Sequence, residues 1–151
     1  MSNPFFILID KRDSEKFRQF KIGKFNEGTK QILEKNNQNY VWSFHKSQIN
    51  CALWKQIKKN DIVCFSIPKN RFQIVAKISK KLIDKKLGKL MWPKGLNSEQ
   101  ITHFLLFENL ENMDVPFSEI INNSKESLIT LMPGIYKINN SSRLGSKLNK
   151  I

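Results

Sequence analysis

Three tryptophans, two cysteines and two histidines are the side chains of this sequence with the most chemistry to offer. Cys51, Cys64, His45 and His103 do not assemble into any zinc-ligand spacing. Each cysteine sits in an apolar segment and reads as a buried free thiol. A nuclease would need clustered carboxylates to hold a divalent ion. The nearest candidate is Asp84-Lys85-Lys86, a D-x-K match in a lysine run where chance matches are common. There is no phosphate-cradling glycine loop and no nucleophile elbow. Enzymatic chemistry, as a small nuclease or toxin, is therefore the reading with the least support. A binding module without cofactor is expected. Trp54 lies at helical spacing from Ile57 and reads as core. Trp42 closes an aromatic strand, and Trp92 stands between Met91 and Pro93 in a basic stretch. A tryptophan so placed is a stacking surface for a nucleobase.

The charge pattern points the same way. The chain carries net charge +13, of which residues 1–94 hold +14, residues 95–124 hold −5 and residues 125–151 hold +4. Segregated positive charge implies a polyanion, most simply nucleic acid. The Asn-rich pairs at 36–37, 122–123 and 139–140 show a compositional bias that would also enrich a solvated surface in lysine. A mean hydropathy of −0.44 and the lack of a long apolar run argue against a membrane span. The short run Pro4 to Ile9 lacks the basic flank of a signal peptide, and a cytoplasmic protein is expected.

The elements that must position these residues follow from periodicity. Pro4 to Ile9 reads as a buried strand closed by the turn Asp10-Lys11-Arg12-Asp13. Residues 14–36 read as two helical pieces interrupted near Gly23 and Gly28. Asn39 to Phe44 is an aromatic strand, and Ser47 to Lys59 a helix with Ser47 as N-cap. Asp61 to Ile67 and Arg71 to Ser79 form a hairpin around Pro68-Lys69-Asn70, with Phe72, Ile74, Ala76 and Ile78 on one buried face. Lys80 to Gln100 reads as a mobile basic loop, and Ile101 to Leu110 as one strand. A short helix starts at Val115-Pro116-Phe117-Ser118. Leu128 to Leu131 and Gly134 to Ile138 add a strand or turn before a C-terminal helix. With no repeat or linker, residues 1–151 form one α+β domain, a curled mixed sheet or open barrel flanked by short helices.

Phe5 to Ile9, Tyr40-Val41-Trp42-Ser43, Asp61 to Ile67, Arg71-Phe72-Gln73, Met91-Trp92-Pro93 and Val115-Pro116-Phe117-Ser118 occur in an order that resembles the landmarks of YTH domains. Lys58 to Phe65 is similar to a stretch of the related EVE domains of the PUA-like superfamily. The resemblance spans roughly residues 4–138. It implies a PUA-like fold that holds a flipped-out modified base in an aromatic cage. Trp42 and Trp92 would be two walls, Phe104 or a nearby residue of its strand the third, and the Ser43 main chain a partner for the exocyclic amine. Asp10, Lys11 or Asp13 would read the base edge. Lys46, Lys69, Arg71, Lys85, Lys86, Lys89 and Lys94 are the candidate phosphate contacts.

The sequence departs from the eukaryotic pattern. The K-S step after the first strand is absent, Glu15 or Lys16 stands where Asn or Asp is expected, and Met132-Pro133-Gly134 replaces an R-D-x motif. These departures match the prokaryotic YTH- and EVE-like domains of McrBC-type, modification-dependent restriction systems. The resemblance then implies N6-methyladenine in DNA as ligand, with an AAA+ GTPase and nuclease machinery as fused or assembled partner. N6-methyladenosine in RNA, a modified cytosine in DNA, and unmodified RNA are the alternatives. In the last, Trp42 and Trp92 would be core.

Overall fold

The computed structural model describes residues 4–44, 48–67, 71–93, 101–116 and 133–138. In chain order the elements are β1 (Pro4–Leu8), a 3-10 turn (Lys11–Asp13), α1 (Ser14–Lys21), α2 (Glu27–Lys35), β2 (Tyr40–Ser43) and α3 (Gln48–Gln56). They continue with β3 (Ile62–Ser66), β4 (Phe72–Lys77), β5 (Lys80–Ile83), α4 (Lys85–Met91), β6 (His103–Phe107), β7 (Leu110–Val115) and β8 (Gly134–Lys137).

Two sheets result, one of five strands in the order β7-β4-β3-β1-β8 and one of three in the order β2-β6-β5. β1 and β3 run parallel; the other pairs are antiparallel. The uninterrupted apolar run of β1 follows from its place. Flanked on both edges and covered on both faces, it sends Phe5, Ile7 and Ile9 into the main core, and Phe6 and Leu8 into a second cluster. The three-stranded sheet is also two-sided. Trp42, Leu105 and Phe107 face the main core, whereas Val41, Phe104 and Leu106 pack with Leu33, Leu87 and Met91 of α2 and α4. The architecture is a mixed α+β fold with two sheets and four short helices, open rather than a closed barrel.

Several expectations need correction. The stretch expected as a loop from Lys80 contains β5 and α4, and its remainder, 94–100, lies outside the described residues. Asp84 caps α4 by accepting from the Leu87 N–H at 3.0 Å, and Leu87 and Met91 form the helix's buried stripe. Lys80 and Lys81 sit on the edge strand of their sheet, where charge guards against unwanted pairing. Ile101 to Leu110 is not one strand. Exposed Glu108 and Asn109 separate β6 in one sheet from β7 in the other.

Gly28 does not interrupt a helix but lies in the first turn of α2. A Cβ there would stand 2.7 Å from a Leu90 methyl of α4, so glycine permits the close approach of the two helices. Phe72 leaves the face of Ile74 and Ala76, because the β4–β7 register shifts between Phe72 and Ile74. It packs with Phe6 instead, ring centroids 5.7 Å apart. Val115 ends β7 rather than starting a helix. Phe117, Ser118, the Ser47 cap, the turn 68–70, Leu128 to Leu131 and the C-terminal segment after Ile138 lie outside the described residues.

Candidate functional site

The end of β1, the 3-10 turn, the end of β2, α3, the C-terminus of α4 and the start of β8 converge on one cavity of about 40 Å³. Trp42 and Trp92 both line it, as do Asp10, Asp13, Ser43 and Asn50. Each side chain is there for a local reason. β2 alternates, so Val41 points to the helices and Trp42 to the main core. Trp92 follows the last residue of α4, its N–H bonded to the Gly88 carbonyl at 3.0 Å. Asp10 caps the 3-10 turn by accepting from the Arg12 N–H at 3.1 Å, which leaves the turn's acidic residues beside the cavity.

The two indoles meet edge to face, centroids 5.8 Å apart and planes at 72°. Trp42 is only 3% exposed and is backed by Phe17 and Phe20. It is a rigid wall. Trp92 is half-buried, and its Nε1 lies 3.4 Å from Asp13 Oδ1. The Lys16 ammonium sits 5.2 Å from the Trp92 ring centroid and donates to the Met91 carbonyl. Burial holds the Lys16 pKa below the ordinary lysine value, and the carboxylate of Asp13 opposes that shift. At this volume the cavity holds roughly three waters, less than a base, so a base enters only if a wall moves. Half-buried Trp92 is the wall with room to do so.

The other candidate residues are dispersed. Phe104 is 0% exposed and packs in the helix-facing cluster, away from the cavity, so it is not a third wall. The reason is parity: on β6 it is Leu105 and Phe107 that share the main core with Trp42. Lys11 is exposed on the 3-10 turn and does not line the cavity. Ser43 lines it, but its hydroxyl donates to the His103 carbonyl. Lys85, Lys86 and Lys89 are exposed on α4, the helix that carries Trp92. Arg71 is ion-paired with Asp114, which competes with a phosphate for it. Lys46, Lys69 and Lys94 lie outside the described residues.

Sequence reasoning missed Asn50 and Gly134. Asn50 Oδ1 accepts from the Ile135 N–H at 3.1 Å. Gly134 has φ +151, and a Cβ there would stand 2.8 Å from that same oxygen, so glycine is required. The available signal was a polar residue at i−3 and i−4 from Leu53 and Trp54, on a packed helix face. Among the described residues no group of three or more His, Cys, Asp and Glu could hold a metal ion. Cys64 is buried, which pushes its thiol pKa up, whereas Cys51 is only half-buried. No helix among the described residues is long and apolar enough to cross a membrane.

The sequence matches no protein-family model and no curated protein. The two open sheets with short helices nevertheless define an α+β fold that has been solved before. A structure sharing it is the N-terminal domain of Thermococcus gammatolerans McrB bound to m5C DNA, with a TM-score of 0.62 at 15% identity. The match covers 99% of this chain and 98% of that one. It extends over the whole domain and establishes the fold.

Proposed function

We propose that this chain binds DNA and recognises a flipped-out modified base, with Trp42 as the fixed wall and Trp92 as the movable wall of its site. The observation that carries this reading is the meeting of two indoles and the carboxylates of Asp10 and Asp13 at one cavity. Carboxylates accept hydrogen bonds, so they favour a base edge that presents an exocyclic amine, as adenine and cytosine do. N6-methyladenine is the first reading. 5-Methylcytosine is the second, favoured by the fold neighbour, which is bound to m5C DNA. The domain would then serve as the specificity part of a modification-dependent restriction system, with any nuclease or nucleotide hydrolysis residing elsewhere.

The energies suit a division of labour. Stacking on an indole contributes roughly 1–3 kcal/mol per base, and a buried methyl about 0.8 kcal/mol. Extrusion costs a few kcal/mol, less where pairing is already weak. Selectivity therefore rests on the cavity, while raw affinity rests on lysines that contact phosphate and carry no sequence information. The test is affinity for oligonucleotides of one sequence carrying N6-methyladenine, 5-methylcytosine or no modification, and for the matching RNA. Preference for a modified DNA is expected. Equal affinity for all four would reduce the chain to an unspecific polyanion binder.

A further inference from the structure

A second hollow of about 90 Å³ lies beside the N-terminus of α2, lined by Lys16, Gln19, Lys24, Phe25, Asn26, Thr29 and Met91. Thr29 is 1% exposed, and its hydroxyl has no hydrogen-bond partner. A buried, unpaired hydroxyl is costly and calls for a reason. The hollow also has the first turn of a nine-residue helix, whose early N–H groups lack intrahelical partners and favour an anion. Asn26 satisfies one of them, its Oδ1 accepting from the Thr29 N–H at 2.9 Å. Asn26 also donates from Nδ2 to the Leu90 carbonyl at 2.7 Å, which fixes α2 against α4. Glu27, in the same first turn, is exposed and does not line the hollow.

We propose that this hollow is a phosphate site, formed by Lys16, Lys24, Asn26 and Thr29, that takes the backbone phosphate beside the base in the neighbouring cavity. The two hollows adjoin. Met91 lines this one and Trp92 the other. Lys16 lines this one and reaches toward the other, donating to the Met91 carbonyl and lying over the Trp92 ring. The lowered Lys16 pKa fits a cation that lacks an anionic partner strong enough to offset its burial. A phosphate oxygen would accept from the Thr29 hydroxyl and from both ammonium groups. The assignment of DNA as its source rests on the function proposed above; the anion chemistry does not.

The test uses the full chain, with Thr29→Val and Lys24→Ala as variants, neither of which lines the indole cavity. Thr29→Val should keep or raise the melting temperature, because it removes an unpaired hydroxyl. It should weaken modified and unmodified DNA alike by roughly tenfold. Lys24→Ala should lower the salt slope of binding by about one. Amide shifts of Glu27, Gly28 and Thr29 should move when DNA is added, whether or not inorganic phosphate moves them too. Movement with inorganic phosphate but not with DNA would overturn the DNA assignment. Parental affinity in Thr29→Val, or no shift with either probe, would overturn the site itself. Modified-to-unmodified selectivity is a separate readout, so its failure would strike the base-recognition reading and leave this one standing.

Discussion

Trp54 and Trp42 are the two deeply buried tryptophans, and fractional exposure hardly separates them, at 8% and 3%. Their surroundings do. Trp54 donates from Nε1 to the Phe104 carbonyl at 3.2 Å and packs edge to face on His103, centroids 4.7 Å apart. Lys81 lies 4.3 Å from its ring centroid and donates to the Trp54 and Lys55 carbonyls, capping the end of α3. Its polar groups are used up in holding helix to sheet. Trp42, in the same core cluster, touches a second indole and borders a cavity lined by two carboxylates. Burial alone therefore does not separate a core aromatic from a site aromatic. A void with polar groups facing it does.

The largest expected effect breaks the Trp54 contacts. Trp54→Ala should lower stability by about 3–5 kcal/mol, read from chemical or thermal unfolding. While the variant is still folded, its preference for modified DNA should be that of the parent. Should it stay stable and lose selectivity instead, the two tryptophans have been assigned the wrong way round.

Next in size is the loss of the movable wall. Trp92→Ala should cost roughly 1–3 kcal/mol in affinity for the modified site, with unmodified DNA bound as before. Trp42 is too deeply packed for the same treatment, since truncation there would open a void in the main core. Trp42→Phe keeps an aromatic face and should give a smaller loss of selectivity with a modest loss of stability. An unchanged modified-to-unmodified ratio in both variants would mean that no aromatic cage operates here.

A smaller effect concerns α4. Lys85→Ala and Lys89→Ala should each flatten the salt dependence of binding by about one in slope and leave selectivity untouched. Affinity that is flat with salt in the parent would return these lysines to an ordinary solvated face.

The legible parts of this molecule were those where local pattern and tertiary role agree. β1, buried on both faces, reads as an apolar run, and the β3–β4 pair reads from its alternation. What escaped was decided by non-local packing. The lysines of β5 and α4 mask a capped helix whose buried side is only Leu87, Gly88 and Met91. Phe104 was misplaced because parity on β6 depends on which face meets which layer, and a single sequence does not fix that. The Arg71–Asp114 pair joins residues 43 positions apart, and the Asn50–Gly134 contact joins α3 to β8. Of the site, Trp42 and Trp92 were legible as candidates from their places at a strand end and in a basic stretch, whereas Asp10 and Asp13 entered only through the family resemblance. Their convergence was likewise implied by the resemblance alone and by nothing in local pattern.

The finest comparison between the two tryptophan environments is a proton. Lys16 and Lys81 each lie over a tryptophan, and each has a pKa lowered chiefly by burial, opposed by Asp13 and by Asp61 respectively. In the unfolded chain both would titrate near 10.5. Between the lowered folded value and 10.5 the unfolded chain holds a proton that the folded chain has released. Stability therefore rises with pH across that window, and below it the cost of burying the charge is fully present. Both groups are only half-buried, so solvent screening keeps each contribution under ~1 kcal/mol. Lys16→Met and Lys81→Met should each flatten part of this alkaline rise, measured by unfolding at several pH values. Binding DNA separates them. A phosphate beside Lys16 raises its pKa, so complex formation in that window should take up a fraction of a proton, measurable by calorimetry in buffers of different ionisation enthalpy. Lys16→Met should abolish the uptake and Lys81→Met should leave it intact. Uptake that survives in Lys16→Met and vanishes in Lys81→Met would place the DNA phosphate beside Lys81 and Trp54 instead.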